Sequence, residues 1–338
     1  MVTNKRLEIG GFSLMYDVVI IGGGPCGLAT GLALQEKGIK YVIIEKEAIV
    51  NSIVNCPLDI RFYSTSDRLE IGNIPFLSQE VRPTRSELLK YYRLVTERQA
   101  LNIKCFQRVD RISKDSDSFT VHTVDRTGTH FSYQARMIVI ATGIFDHPKK
   151  IGIEGEKLSK VAHYYKEGHS YHGQNVTVVG GKNSAVEAAI DLYRNGAHVT
   201  LVHRGDNVYK GIKPSLLLDI RNFIEKGKIK FYANSSVKEI NMTTICLETP
   251  EGLVTIPNDY AFSLIGYQPD IGMLQSIGIQ IDSSTLVPAF NSETYETNVP
   301  NVYLAGVVTG GITNRVYIED GRFHGLKIAE DMRRRLNA

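Results

Sequence analysis

The chain repeats one pattern of apolar and polar positions. An apolar run after Asp17 leads into the glycine turn at 22–27, and a similar run after Asn175 leads into the turn at 180–185. The two turns lie 158 residues apart (180 minus 22). A short apolar run that ends in such a turn predicts a buried strand, and the stretch after it predicts a helix, from Leu28 to Lys37 in the first copy.

The repeat continues beyond the turns. Gly38 and Gly196 stand sixteen positions after the first glycine of their turn (38 minus 22, 196 minus 180), and each precedes a second apolar run. Glu45 and His203 stand twenty-three positions after that glycine (45 minus 22, 203 minus 180). A strand–turn–helix–strand frame that occurs twice in register indicates two nucleotide-binding units.

Between and after the copies the pattern predicts further elements. The stretch 51–76 is irregular and long for a plain connection, which is typical of a functional loop. A helix follows to about Ala100, with Thr84 or Ser86 as its N-cap. The remaining predictions are a small antiparallel insert (103–112 and 119–124), apolar strands (136–143, 230–232, 259–266 and 301–306), a hairpin (237–256), and helices (214–226 and 318–336).

These elements predict an α/β fold class with two Rossmann-like dinucleotide-binding domains, both doubly wound. The strand at 301–306 and the terminal helix are expected to belong to the same domain as the first copy of the repeat. We therefore expect the second domain to be inserted into the first. The expected boundaries are 15–155 and 286–338 for the first domain and 156–285 for the second.

Composition narrows the class of protein. The chain has 338 residues, enough for two cores, and a formal charge of only +3. We expect neither a nucleic-acid surface nor a membrane span, and a cytoplasmic location, because Met1–Leu14 has no apolar centre typical of a signal peptide. The four cysteines (Cys26, Cys56, Cys105 and Cys246) form no Cys-x-x-Cys pair and no metal-binding spacing.

The first turn has the features of a flavin-nucleotide site. Gly22, Gly24 and Gly27 allow a sharp turn, close approach of a pyrophosphate and close packing of the following helix, and Pro25 lies in the same turn. Glu45 can accept hydrogen bonds from both hydroxyls of an adenosine ribose, and Lys46 follows it. A carboxylate at this position suits a nucleotide without a 2′-phosphate.

The second turn differs at the positions that select the nucleotide. His203 replaces the acid and Arg204 follows it, so a 2′-phosphate would meet positive charge. Lys182 replaces the middle glycine after Gly180 and Gly181, and Asn183 with Ser184 can cap the helix and bind phosphate oxygens. One site for plain adenosine and one for a 2′-phosphate predict FAD together with NADPH, and the redox chemistry then belongs to the flavin.

The order of these motifs resembles the thioredoxin-reductase-like flavoproteins and, more closely, the bacillithiol disulfide reductase family. The resemblance covers the chain from Tyr16 onward. It is carried by the turn 22–27, Ser64-Thr-Ser with Leu69-Glu-Ile-Gly72, Ala141-Thr-Gly143, His163-Tyr-Tyr-Lys-Glu-Gly168, Val179-Gly-Gly-Lys-Asn-Ser184, Ile212-Lys-Pro214, Gly266-Tyr-Gln-Pro269, Ala305-Gly306 and Gly321-Arg-Phe-His-Gly325.

The resemblance implies an FAD-containing, NADPH-dependent, cytosolic oxidoreductase that is a homo-oligomer, dimer or tetramer. The implied substrate is a low-molecular-weight thiol disulfide such as bacillithiol disulfide, reduced through hydride transfer from NADPH to FAD. The implied FAD-binding residues include Thr142, Gly143, Gly306 and Val307 besides those of the first turn. Val307 stands where thioredoxin reductases usually have aspartate, so a flavin hydrogen bond must come from elsewhere.

Without a cysteine pair, Cys26 is the catalytic candidate. It stands at a predicted helix N-terminus, where the helix dipole is expected to lower the pKa of the thiol and favour attack on a disulfide. The opposing interpretation is a small packing residue beside a negatively charged pyrophosphate. His163, His169 and His324 are candidate proton donors for a leaving thiolate, against the commoner structural role of histidine.

Three other functions fit the same motifs. A thioredoxin-reductase-like ferredoxin or flavodoxin NADP reductase also lacks the cysteine pair and passes single electrons. A flavin monooxygenase would react with oxygen, and a flavin-bound redox sensor would have negligible turnover. Rapid bleaching of bound flavin by NADPH would exclude the sensor.

Overall fold

The computed structural model describes residues 15–208, 212–313 and 315–337. Its strands are β1 (Tyr16–Ile21), β2 (Tyr41–Ile44), β3 (Ile103–Lys104), β4 (Gln107–Lys114), β5 (Phe119–Asp125), β6 (His130–Ile140), β7 (Val161–Ala162), β8 (Asn175–Val179), β9 (His198–Val202), β10 (Lys230–Tyr232), β11 (Ser236–Ile240), β12 (Thr244–Thr249), β13 (Gly252–Pro257), β14 (Tyr260–Ser263) and β15 (Val302–Leu304). Its α-helices are α1 (Pro25–Glu36), α2 (Asn51–Val54), α3 (Arg85–Arg98), α4 (Asn183–Arg194), α5 (Pro214–Glu225), α6 (Ile271–Ser276), α7 (Ile318–Gly321) and α8 (His324–Leu336).

The chain divides into two compact units. Within the described part of the chain, unit 1 comprises residues 15–54, 62–144 and 269–337, and unit 2 comprises residues 55–61 and 145–268. The boundaries between the two units lie at 144/145 and 268/269, earlier than the expected 155/156 and 285/286. Ile151 and Ile153 pack in a cluster of unit 2, whereas Leu274 and Ile279 pack in a cluster of unit 1.

Unit 1 is built on a seven-stranded sheet in the order β3-β2-β1-β6-β5-β4, with β15 also paired to β6. The antiparallel strands expected as a separate insert are part of this sheet, because β6 is 11 residues long. Its first half pairs antiparallel with β5, and its second half pairs parallel with β1 and β15.

Both faces of this sheet are covered, as a buried parallel strand requires. Val18 and Ile20 of β1 pack in one apolar cluster, and Val19 and Ile21 pack in another. Helix α8 approaches α1 closely, since a Cβ on Gly325 would stand 2.6 Å from the Cα of Thr30.

Unit 2 contains a five-stranded parallel sheet in the order β10-β9-β8-β14-β7. The segment expected as a hairpin forms the three-stranded antiparallel sheet β11-β12-β13 instead, because a second turn at Pro250–Glu251 follows β12. The predicted fold class, α/β with two Rossmann-like units, is confirmed by these sheets.

Three element predictions need correction. Helix α1 begins at Pro25 rather than Leu28, since proline suits the first helical position. The terminal helix is divided: the Phe323 N–H bonds to the Asp320 oxygen three residues back, which tightens the helix for one turn between α7 and α8. The irregular stretch 51–76 contains α2 and a 3-10 turn at Ser66–Leu69.

Candidate nucleotide-binding sites

In unit 1, the glycine turn follows β1 and leaves no room for side chains at two positions. Gly22 has φ +110°, and a Cβ on it would stand 2.4 Å from the carbonyl oxygen of Ala141. A Cβ on Gly27 would stand 2.0 Å from the oxygen of Gly22. Only glycine therefore allows this turn and the close approach of α1 to it.

Gly24 and Gly143 border open space in unit 1. Apart from their own chain neighbours, no atom of the described residues lies within 4 Å of a Cβ built on either glycine. Gly24 is the N-cap of α1, and no side chain caps this helix. An open cradle in front of a helix N-terminus fits a pyrophosphate, which the unpaired N–H groups and the helix dipole favour.

Glu45 follows β2 and is held in a fixed orientation. Its side chain is only 6% exposed, and its two oxygens accept hydrogen bonds from the backbone N–H groups of Gly23 (2.7 Å) and Glu47 (2.8 Å). A carboxylate accepts hydrogen bonds, which is the chemistry that a ribose hydroxyl requires. Lys46 is half-buried next to it.

The remaining predicted residues of this site follow two neighbouring strands. Thr142 and Gly143 follow β6, and Gly306 and Val307 follow β15, which pairs parallel with β6. Carboxyl ends of parallel strands meet at one edge of a sheet, which is where open α/β sheets bind ligands. The structure thus brings these residues to the same edge as the turn at 22–27.

Cys26 lies inside the protein rather than on an exposed turn. It is 7% exposed, and Cβ atoms on Gly306 and Gly321 would stand 2.7 and 2.8 Å from its sulfur. Burial, followed by the negative charge of Asp320, raises the pKa of the thiol to about 12, although a backbone hydrogen bond from Val307 acts in the opposite direction. The expected lowering of the pKa by the helix dipole is therefore wrong for this structure.

His324 is also buried in unit 1. Its Nδ1 accepts a hydrogen bond from the Gly306 N–H (3.2 Å), and its ring stacks on Tyr295 with centroids 4.0 Å apart. Burial lowers the pKa of His324 to about 4. The imidazole is thus neutral near pH 7 with its proton on Nε2, which disfavours the predicted role as proton donor.

In unit 2, the second turn packs against the residue that replaces the acid. Gly180 has φ +145°, and a Cβ on Gly181 would stand 2.3 Å from the ring of His203. The ring therefore lies against the turn itself. Burial, with the positive charge of Arg204, lowers the pKa of His203.

The structure gives Asn183 a different role from the one predicted. Lys182, not Asn183, is the N-cap of α4, and no side chain caps this helix. The side-chain oxygen of Asn183 accepts a hydrogen bond from the backbone N–H of Lys213 at 2.9 Å. This oxygen fixes the start of α5 because Lys213 is the N-cap of that helix. Ser184 remains exposed in the first turn of α4.

A third cation that the sequence did not single out stands near the second turn. The positive charges of Lys182 and Arg204 act on the ammonium group of Lys149 and, after burial, lower its pKa. Lys149 precedes this domain's repeat by some thirty residues (180 minus 149) and belongs to no motif. No spacing in the sequence could have indicated it.

Unit 2 also contains a cavity of about 300 Å³ that sequence reasoning missed. Three aromatic rings in its wall contact one another: Phe145 lies 4.7 Å from Tyr267 and 5.1 Å from Tyr164, between ring centroids. Ser184 and Glu187 of α4 also line it. Its wall comes from separate segments, including Cys56 of the short stretch Asn55–Arg61, so no local pattern revealed it.

The other candidate proton donors, His163 and His169, both belong to unit 2. His163 follows β7, and its Nδ1 is buried without a hydrogen-bond partner. His169 begins an exposed 3-10 turn that ends at Tyr171. Among the described residues of unit 2, no contact identifies His169 as part of a site.

Comparison with known proteins agrees with this geometry. The family model for pyridine nucleotide-disulphide oxidoreductases matches residues 19–306. Bacilliredoxin reductase Bdr of Bacillus subtilis is 41% identical over 96% of this chain and 99% of its own. The structure of bacillithiol disulfide reductase Bdr from Bacillus cereus superimposes with a TM-score of 0.93 at 42% identity, covering 95% of this chain and 99% of its own.

A more distant structure bears on the fold alone. Thioredoxin reductase of Lactococcus lactis has a TM-score of 0.74 at 23% identity, covering 94% of this chain and 98% of its own. Among the residues that the structure describes, no helix combines the length and the apolar character needed to cross a bilayer.

Proposed function

The chain belongs to the pyridine nucleotide-disulphide oxidoreductase family, among the bacillithiol disulfide reductases, and we propose that it uses FAD and NADPH to reduce a low-molecular-weight thiol disulfide. The resemblance seen in the sequence is confirmed by this membership, and so is the class of enzyme, a flavin-dependent disulfide oxidoreductase. The observation that carries the finer proposal is the contrast between the two turns. In unit 1 the residue after the second strand is the acid Glu45. In unit 2 the cation Arg204 follows the second strand, and Lys182 lies in the turn.

FAD is the nucleotide that the residues of unit 1 fit. The open cradle at Gly24 would receive its pyrophosphate, and Glu45 would hold its ribose. Gly22, Pro25, Gly27, Lys46, Thr142, Gly143, Gly306 and Val307 complete the proposed site. When bound, the flavin supplies the two-electron chemistry, and the protein orients it and limits access of water.

NADPH is the nucleotide proposed for unit 2. Arg204 would bind the 2′-phosphate, and Lys182 would attract phosphate oxygens beside Gly180, Gly181 and the first turn of α4, where Ser184 lies. The His203 ring lies against the turn, and Asn183 is the first residue of α4 after it. The aromatic cavity next to Ser184 has a suitable size and chemistry for the nicotinamide half.

The proposed substrate is bacillithiol disulfide or a similar small disulfide. The name of the Bacillus cereus relative gives bacillithiol disulfide as substrate, and the sequence resemblance implied the same. Each turnover would convert one disulfide, one NADPH and one proton into two thiols and NADP⁺. A bacilliredoxin is the second candidate acceptor, supported by the name of the Bacillus subtilis relative.

Steady-state oxidation of NADPH tests the proposal with a panel of acceptors: bacillithiol disulfide, other small disulfides, a bacilliredoxin mixed disulfide, ferredoxin and oxygen. We expect fast turnover with a thiol disulfide. Turnover only with ferredoxin or flavodoxin would identify an NADP reductase, and oxygen uptake with an organic substrate would identify a monooxygenase. Flavin that NADPH fails to reduce without oxygen would contradict the reductase function.

The role of Cys26 is tested separately. As a catalyst it would attack the disulfide, form a mixed disulfide and release one thiol. Its burial and raised pKa favour the packing role in the structure described. Cys26→Ala distinguishes the two: unimpaired disulfide turnover supports packing, whereas lost turnover with normal reduction of the flavin by NADPH assigns a catalytic thiol.

Replacing Arg204 tests the preference for NADPH. Because the guanidinium would pair with the 2′-phosphate, Arg204→Gln should raise KM for NADPH at least about tenfold and change KM for NADH less than about twofold. Arg221, on the same unit but on the exposed side of α5 and paired with Glu225, offers a matched control. Equal losses for both nucleotides would contradict the assignment.

A homo-oligomer and a cytosolic location stay predictions.

A further inference from the structure

The backbone of Lys149 is tied to the sheet edge that carries the second turn. Its N–H donates to the oxygen of Gly266 at 2.9 Å, and the Gln268 N–H donates to the oxygen of His147 at 3.0 Å. Gly266 follows Leu264 by two positions, and the Leu264 oxygen lies 2.5 Å from where a Cβ on Gly180 would stand. The position of Lys149 beside the turn is therefore built into the fold of unit 2.

Three cations come from three segments at this end of the sheet. Lys182 is the N-cap of α4, Arg204 follows β9, and Lys149 is tied to the segment after β14. Burial, Lys182 and Arg204 all lower the pKa of Lys149, and no carboxylate contributes to that shift. Like charges gathered at a partly buried place cost free energy, and an anion between them offsets the cost.

The order of the strands indicates different positions for the 2′-phosphate and the pyrophosphate of a bound dinucleotide. In the sheet, β8 lies between β9 and β14, so the turn that follows β8 lies between Arg204 on one side and Lys149 on the other. A dinucleotide in this type of sheet places its adenosine ribose at the second strand, here β9, and its pyrophosphate over the turn. The backbone of Lys149 is therefore attached at the β14 side of the turn, opposite the strand β9 that leads to Arg204.

We propose that Lys149 binds the pyrophosphate of the pyridine nucleotide, so that it strengthens binding of NADPH and NADH alike. The inference rests on the proposed function only in taking unit 2 as the pyridine-nucleotide unit. The cations then have different roles in nucleotide binding. Arg204 selects the nucleotide, whereas Lys149 sets the affinity for either one.

Equilibrium binding to the flavin-loaded protein tests this assignment with NADPH, NADH and 2′-AMP, which has a 2′-phosphate but no pyrophosphate. Lys149→Met should raise Kd for NADPH and for NADH by about the same factor, about tenfold, and leave Kd for 2′-AMP unchanged. Lys149→Arg should restore most of the affinity. Lys150→Met removes an exposed neighbouring charge and should change none of the three constants.

Several outcomes would overturn the inference. A loss confined to NADPH and 2′-AMP would place Lys149 at the 2′-phosphate, and unchanged affinities would remove it from the site. A weaker dependence of Kd on salt in Lys149→Met than in the wild type supports a direct phosphate contact, because one ion pair fewer is screened. A wild-type protein that binds neither nucleotide would contradict the proposed function itself.

Discussion

His324 accepts a hydrogen bond from the Gly306 N–H through Nδ1, and this contact requires the neutral ring. Its pKa is lowered to about 4 in the folded protein, against an ordinary value of 6.5. The unfolded chain therefore binds a proton more readily than the folded chain between these values. The stabilising effect of the neutral ring is complete above the ordinary pKa and is lost as the pH falls towards the folded one.

We therefore predict that unit 1 loses about 2 kcal/mol of unfolding free energy between about pH 7 and about pH 5 through this residue. His324→Asn keeps an acceptor for the Gly306 N–H but does not titrate, so its stability should change less over the same range. Thermal unfolding of both proteins at the two pH values measures the difference. Parallel losses in both would show that other groups are responsible.

Residues whose roles follow from spacing within one motif could be predicted from the sequence. Glu45 and Arg204 stand at fixed positions after a glycine turn, and local chain geometry carries them to the ends of their strands. The surroundings of Cys26 and Lys149 could not be predicted. They depend on Gly306, Gly321 and Gly266, which approach from more than a hundred residues along the chain.

At the scale of elements, two glycines of the turn before α1 have different roles: Gly24 is expected to affect ligand binding, and Gly27 is expected to affect folding. Gly24 has φ −72° and open space around its missing side chain, whereas a Cβ on Gly27 would strike the backbone of Gly22. Gly24→Ala should change the unfolding free energy of the flavin-free protein by less than about 0.5 kcal/mol. It should nevertheless weaken FAD binding at least about tenfold, because the new methyl group enters the proposed pyrophosphate cradle.

Gly27→Ala is the contrasting variant, with an expected cost of more than about 2 kcal/mol from overpacking. Thermal unfolding of the flavin-free proteins and fluorescence titration with FAD give the two quantities. Normal FAD affinity in Gly24→Ala would place the pyrophosphate elsewhere.

The start of α3 allows a second test at this scale. Thr84 and Glu87 form a capping box, in which the Glu87 carboxylate accepts from the Thr84 N–H at 2.8 Å. Thr84→Ala should lower the unfolding free energy by about 1 kcal/mol. Ser86, the other N-cap that the sequence offered, lies inside the helix, and Ser86→Ala should change stability by less than about 0.5 kcal/mol. A larger loss in Ser86→Ala would reverse the assignment.

Element types were predicted better than element limits. Buried strands and amphipathic helices show themselves through periodicity, whereas the true start of α1 depends on the proline at its first turn. The sequence also gave no sign that β6 joins parallel and antiparallel neighbours. That junction is a property of long-range pairing, with Ala135 opposite Tyr16 on one side and Phe119 on the other.

For the whole molecule, division into two units predicts local responses to each nucleotide. At about 100 times its dissociation constant, NADP⁺ should stabilise unit 2 by about 2.7 kcal/mol. Amide hydrogen exchange should therefore slow in β8 and β9, with little change in β1 of the flavin-loaded protein. Arg204→Gln at the same NADP⁺ concentration should lose most of this protection. Equal protection of β1 would contradict separate sites.

The discontinuity of unit 1 also determines when each part can fold during synthesis. Strand β15 pairs with β6 across 164 positions (302 minus 138), and α8, which covers α1, is made after all of unit 2. All of unit 2 leaves the ribosome before these segments exist, so it can fold while unit 1 is still incomplete. Until then the apolar face of α1 is uncovered, which makes the nascent chain a natural client for chaperones.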